Sequence, residues 1–246
     1  PNPPLDGVRW CIRNNINYQQ SGVLLAESYV ADNAQRFLEN FWIKSRRAVE
    51  RGRSGSPNLW HIPAVQPRRV EAAEMVNLLR LQGVEVHRAT RGFTAGGVTV
   101  AEGDYLVRMD QPYGPLAGNL LGIQTYRASD PRPYDDTGWT FGPLRNVAVH
   151  SVSDTTALAQ PMTLIAEDVV PRGTVTGDAG RLGAVLVPAT TESNLIVFRY
   201  RLRDVRMYAA EDSFSVGTAS YPAGTVIVPL ANAHADRAVR EAVESL

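Results

Sequence analysis

Four histidines, His61, His87, His150 and His234, are the first residues to question for chemistry. Imidazole is the commonest metal ligand and the ordinary proton carrier near neutral pH. Each of the four stands alone. None has Glu three positions on, and no His-x-x-x-His pair occurs, so the local zinc spacings are missing. His61 and His87 fall in short apolar runs that read as strands, where a packed or edge histidine is expected. Nucleophile chemistry fares no better, because the chain has no Gly-x-Ser-x-Gly elbow. Cys11, the single cysteine, lies between Trp10 and Ile12 and reads as a small buried apolar residue. Alone, it excludes an intrachain disulfide and a multi-cysteine zinc site. Thr94-Ala-Gly-Gly97 reads as a hairpin turn, and Gly173–Gly183 lacks the Lys-Ser/Thr of a phosphate cradle. The expectation is a chain with no catalytic and no metal-ligating residues of its own.

Ligand binding has better candidates. Asp110-Gln-Pro-Tyr113 follows a strand, and the long stretch 124–145 carries Arg127, Asp130, Arg132, Tyr134, Asp135, Asp136 and Trp139. Clustered carboxylates, guanidiniums and aromatic rings could line a polar groove, with Asp110, Tyr113, Tyr134, Asp135, Asp136 and Trp139 as its contacts. The same residues also suit helix caps and a stiffened connection. The amide-dense run Arg13-Asn14-Asn15-Ile-Asn17-Tyr-Gln-Gln20 is similarly open. Arg13 and Asn14 could hold a peptide or carboxylate, or the segment could simply cap and begin the helix that follows.

The elements that must position these residues follow from spacing. Apolar residues recur at helical intervals from about Gly22 to Arg51, predicting one long helix, and Arg51-Gly-Arg-Ser-Gly-Ser-Pro57 breaks it. Leu59–Ile62 reads as a strand, Arg69–Leu81 as an amphipathic helix capped by Gly83, and Val84–His87 as a second strand. A hairpin over Phe93–Val107 and a short helix over Pro112–Leu121 come next. Val147–Val149 and Met162–Ile165 read as strands. The pattern then repeats: Ala184–Val187 as strand, Asn194–Leu202 as helix, Val205–Tyr208 as strand, and Phe214–Val228 as hairpin.

The repeat is visible in the letters. Phe93-Thr-Ala-Gly-Gly-Val-Thr-Val-Ala-Glu-Gly103 matches Phe214-Ser-Val-Gly-Thr-Ala-Ser-Tyr-Pro-Ala-Gly224, and Ile62-Pro-Ala matches Val187-Pro-Ala. The fold class expected is α/β, with two duplicated βαβ-plus-hairpin units behind a long N-terminal helix, both crossovers right-handed. The divisions are 1–53, the N-terminal segment and helix; 54–123, unit one; 124–182, a loop-rich connection with short strands; and 183–246, unit two.

Composition is that of an ordinary globular chain: 246 residues, 44% hydrophobic and 20% charged, with formal net charge zero. Zero charge gives no footprint for nucleic acid. All but one of the 25 basic residues are Arg, the exception being Lys44, and they are scattered rather than striped. No apolar run approaches the roughly 20 residues of a membrane span. Pro1-Asn-Pro-Pro4 and a helical pattern over Ala235–Leu246 suggest a piece of a longer protein.

Several stretches resemble the region after the catalytic core in large bacterial zinc carboxypeptidase-like proteins of the M14 peptidase family. They are Arg13-Asn-Asn-Ile-Asn-Tyr-Gln-Gln-Ser-Gly-Val-Leu24, Phe41-Trp-Ile-Lys-Ser45, Glu74-Met-Val-Asn-Leu-Leu79, Val84-Glu-Val-His-Arg-Ala89, Tyr105-Leu-Val-Arg-Met-Asp-Gln-Pro-Tyr113 and Tyr134-Asp-Asp-Thr-Gly-Trp139. The similarity runs over nearly the whole chain. The family's own site uses a His-x-x-Glu pair and a later His on zinc, an Asn-Arg pair for the terminal carboxylate, a Tyr, and a Glu base. The metal activates water while Glu moves the proton. No His-x-x-Glu occurs here, and Arg13-Asn14 and Arg145-Asn146 run in the reverse order. The resemblance therefore implies a non-catalytic C-terminal portion, accessory to a metallopeptidase whose zinc and active site lie in an upstream domain of the same polypeptide. On that reading residues 22–51 are the last helix of the peptidase domain, residues from about 57 onward are an appended module, and the parent is secreted or periplasmic. The other expectation, from the residues alone, is a stand-alone α/β ligand-binding module whose groove is the 126–139 loop, with a peptide as a possible ligand.

Overall fold

The computed structural model describes residues 7, 10–131, 139–176, 183–229 and 237. Two compact units divide the chain, Pro1–Arg47 and Ala48–Leu246. In place of one helix over 22–51, two run end to end in sequence: α1, Ile12–Asp32, and α2, Ala34–Ser54. The break is chemical. Asn33 leaves helical geometry (φ −117°, ψ 25°) and its side-chain amide donates to the Tyr29 carbonyl at 2.9 Å. Asn competes for backbone partners in this way, which a search for apolar spacing alone does not register. α1 also begins ten residues earlier than the expected helix, taking Gly22 into its interior. None of its residues is buried. Leu25 is 72% exposed, and on α2 Leu38 is 69% and Phe41 60% exposed.

The second unit is built on a five-stranded sheet. Its elements follow in order: β1, Leu59–Ile62; α3, Arg69–Leu81; β2, His87–Ala89; β3, Phe93–Ala95; β4, Val98–Val100; β5, Tyr105–Arg108; α4, Gly114–Leu121; α5, Phe141–Arg145; β6, His150–Val152; a 3-10 turn, Thr155–Ala159; and β7, Met162–Leu164. The strand order is β6-β1-β5-β2-β7, and each neighbouring pair is antiparallel. So β1 and β2, joined by α3, do not lie side by side as a simple βαβ crossover would place them. β5 lies between them. The chain turns at Gly103 (φ +92°), a conformation that favours glycine, and Ala89 and Gly103 exchange backbone bonds with the turn at 2.9 Å. The turn thus feeds β5 back beside β2.

β1 is buried at all four positions, because both faces of the sheet are covered. On one face Trp60, Ile62, Tyr105 and Val107 pack with Met75, Val76 and Leu79 of α3 and Ala117 and Leu121 of α4. On the other, Leu59, Leu106, Ala89 and Val152 pack with Ala95 and Val100 of the separate β3–β4 hairpin and with Ala157. α3 takes the bounds its apolar spacing predicts. It stops where Gly83 (φ +84°) lets the Val84 N–H return to the Leu79 carbonyl at 3.0 Å. The edge strands β6 and β7 both come from the stretch 124–182. β6 begins after the apolar Val147–Val149 run, and β2 after the Val84–Val86 run.

A second, smaller sheet follows: β8, Ala184–Val187; α6, Ser193–Arg201; β9, Tyr208–Ala209; the β10–β11 hairpin, Phe214–Val216 and Ala219–Tyr221; and β12, Val226–Pro229. Its order is β8-β12-β9, antiparallel throughout, over a core of Val187, Phe198, Leu202, Val205 and Val228. The two sheets are pinned together by Glu192. Its carboxylate accepts from the Val70 and Glu71 N–H groups at 2.7 and 3.1 Å, satisfying two donors in the first turn of α3. The helix expected over Ala235–Leu246 falls almost wholly outside the described residues.

Candidate functional site

The described ligand candidates Asn14, in the first unit, and Asp110 and Tyr113, in the second, are engaged in contacts of their own. In the first unit, Asn14 acts at the start of α1: its side-chain oxygen accepts from the Cys11 N–H at 3.0 Å and the Cys11 thiol at 3.1 Å. Asn15 accepts from the Trp10 indole at 2.7 Å. Both amides are thus spent on beginning a helix, while Arg13 is exposed. Cys11 is exposed as well, contrary to the buried position its neighbours suggested: α1 has no buried residue, and the flanking Trp10 ring meets Tyr18 at 5.6 Å and leaves the thiol uncovered.

In the second unit Asp110 is fastened to the sheet. Arg108 grips both its oxygens, at 2.9 and 2.8 Å, and donates also to the Leu158 carbonyl at 2.9 Å. Arg53 stands 3.8 Å away. Burial works to raise the Asp110 carboxyl, but the Arg108 hydrogen bonds and charge, with Arg53 behind them, hold it below the usual carboxylate range. The neighbouring Gln111 is buried and clasps the Glu85 backbone, accepting from its N–H at 2.7 Å and donating to its carbonyl at 3.0 Å. Tyr113 lays its ring over Gly83. Asp110 and Tyr113 therefore tie the end of β5 to its surroundings, and neither bonds with Trp139 among the described residues. Tyr134, Asp135 and Asp136 lie outside the described residues. Trp139 is half-buried, and its indole N–H finds no partner among the described residues.

What the sheet does assemble is a row of histidines. Register places His150 opposite His61, His61 opposite Leu106, and Leu106 opposite His87. Directly opposed residues share a face, so three histidines lie in one line across β6, β1, β5 and β2. The rings of His61 and His150 stack at 5.5 Å with 27° between planes. On its other side His61 Nε2 lies 2.7 Å from Asp104 Oδ2, with only 3% and 7% of the two side chains exposed. Asp104 also accepts the Ala64 N–H at 2.9 Å and the Ala101 N–H at 2.8 Å. Asp104 accepts at both oxygens, so the tautomer that completes the contact is Nε2–H, which leaves Nδ1 as a bare acceptor. That Nδ1 is buried with no partner among the described residues.

Burial pushes the His61 imidazole below the ordinary histidine range. The hydrogen bond and charge of Asp104 oppose this, and the His150 ring adds to the lowering. His87 is lowered too, by burial and by the nearby Arg108 charge. Within the row the described hydrogen bond is His61–Asp104; His150 meets His61 as a stacked ring, and Leu106 stands between His61 and His87. The row does not make a metal centre: among the described residues no three His, Cys, Asp or Glu side chains converge on an ion. Sequence reading saw these histidines as isolated because the β1–β6 pairing joins residues about ninety positions apart. The one local signal was His61 itself, a polar residue between Trp60 and Ile62 in a strand buried on both faces.

The fold and site define an α/β protein with a buried His-Asp pair at its sheet centre, and no described helix is long and apolar enough to cross a membrane. The chain matches no protein-family model, no curated protein and no solved structure.

Proposed function

We propose that this chain is the non-catalytic C-terminal portion of a zinc metallocarboxypeptidase-like protein, accessory to peptide hydrolysis performed by an upstream domain of the same polypeptide. The motif resemblance supplies the family. The observation that carries the reading is the first unit: α1 buries none of its side chains, and Leu24, Leu25, Leu38, Phe41 and Trp42 are all exposed. Helices of this length gain most of their stability from packing an apolar face. A neighbouring peptidase domain would give that face its partner. The sequence lacks the family's His-x-x-Glu, and among the described residues no three His, Cys, Asp or Glu side chains form a group that could hold an ion.

Elemental analysis of the purified chain and an assay for cleavage of a C-terminal peptide bond test the catalytic half of the proposal. Neither zinc nor cleavage is expected, and stoichiometric zinc with hydrolysis would overturn it. The accessory half is tested by fusing the chain behind a catalytic domain of the family. Hydrophobic-dye fluorescence should then drop below the sum of the separate parts, and undiminished fluorescence counts against docking.

A second reading rests on a different observation. Gln124 Nε2 and Trp139 Nε1, at the two ends of the 124–139 stretch, are buried donors without partners among the described residues. Such donors suit a ligand rich in acceptors, a peptide or a sugar. Titration of Trp139 fluorescence with both classes separates this binding module from the accessory domain.

A further inference from the structure

We propose that His150, His61 and Asp104 form a proton-operated latch, which fastens edge strand β6 to the first sheet at neutral pH and releases it on acidification. The inference does not depend on the peptidase reading.

The three groups occupy graded depths. His150 is exposed on the outermost strand, His61 is buried on the next, and Asp104 is buried behind it. A proton on exposed His150 would set a positive charge against the stacked His61 ring at 5.5 Å. A proton can reach His61 only at Nδ1, because Nε2–H is committed to Asp104. In the closed sheet a new Nδ1–H would have no acceptor, and an unsatisfied buried donor is costly. Opening β6 removes the stacked charge and admits water to Nδ1. Acid therefore favours the open strand.

The remaining charges do not supply this effect. Arg108, on the same face of β5, is paired with Asp110, and His87 stands beyond Leu106 on β2. Arg88 lies over the Tyr105 ring, and Glu102 beside the turn is exposed. Asp154, after β6, is held by the Gly96 N–H and by Thr156. The β3–β4 hairpin adds no titratable group. β6 itself is short, three residues, and beyond its ladder is fastened by the Asn58 N–H to the Val152 carbonyl at 2.9 Å and by the Ser56–Ser153 hydroxyl pair at 2.6 Å. It is the kind of element that opens locally at low cost.

The fold does not need this pair. The matching turn of the second sheet, Gly224-Thr225, makes the same backbone bonds as Gly103-Asp104, and its register places Leu186 where the first sheet has His61.

Amide hydrogen exchange on the full chain, corrected for intrinsic rates, tests the latch. Between about pH 7 and pH 5, protection at His150–Val152 should fall about tenfold or more, as linkage to a single proton allows. Amides of β8 and β12 should hold. His150→Phe keeps an aromatic ring and removes the charge, so its β6 should stay protected at the lower pH. Equal protection of β6 at both pH values overturns the proposal. So does parallel loss in β12, which would be global unfolding, or a His150→Phe variant that opens like the parent.

Discussion

The two sheets of the second unit differ most where their backbones agree best. Ala89, Gly103 and Asp104 in the first, and Ala210, Gly224 and Thr225 in the second, make matching turn bonds. Both sheets then place the returning strand between two antiparallel neighbours, as β1-β5-β2 and β8-β12-β9. Yet the first buries a carboxylate and an imidazole there, while the second has Leu186 and a Thr225 hydroxyl that donates to the Pro222 carbonyl at 2.7 Å. The first sheet also carries two further strands, and one of them brings His150. A buried ionisable pair that an otherwise matching fold does without is a cost accepted for something other than topology.

The comparison can be broken in several ways. The largest effect should come from Leu106→Ala, which removes a fully buried side chain between His61 and His87 and should cost about 2–5 kcal/mol in urea unfolding. Asp104→Ala leaves two N–H groups and His61 without an acceptor and should cost about 1–3 kcal/mol, clearly more than Thr225→Ala measured the same way. Equal losses at the two positions would mean that the buried pair adds nothing beyond the turn.

Acid sensitivity comes next. His61 and His87 are both lowered in the folded chain, so the unfolded chain binds more protons below about 6.5, the ordinary histidine value. Stability should therefore decline as pH falls from that point toward the folded values, and be fully present above it. The double variant His61→Leu with Asp104→Thr, which copies the second sheet into the first, should flatten this slope in thermal melts. Asp110 acts lower down, because its folded value is depressed. Its contribution is present above about 3.8 and is lost as pH falls below that. The smallest change should be Asn14→Ala, about 1 kcal/mol of local helix stability, read as fraying at the start of α1.

Local order was legible where one signal decided it. The spacing of Val76, Leu79 and their neighbours gave α3 its bounds, and Gly83 announced its cap by residue type. What spacing could not reach was partnership at a distance. Val84–His87 alternates and Val147–Val149 is apolar, so both look like strands, but the first meets its ladder only at its last residue, His87, and the second ends just before its ladder begins at His150, where register with β5 and β1 is set. Asn33 ended a helix through one side-chain bond that no periodicity contains. The histidine row escaped the sequence for a related reason. Asp110, Asn14 and Tyr113 are polar residues of binding type, yet the structure spends them on caps and clasps, while the histidine row depends on strand pairing that the sequence does not declare.

The carboxylate of Glu192 on the first turn of α3 makes the boundary between the sheets a poor place to cut. Any shortened version of the chain that stops before it strips the Val70 and Glu71 amides of their acceptor and leaves the positive pole of a thirteen-residue helix bare. Someone dissecting the molecule at the glycine-rich stretch would weaken the half they meant to isolate.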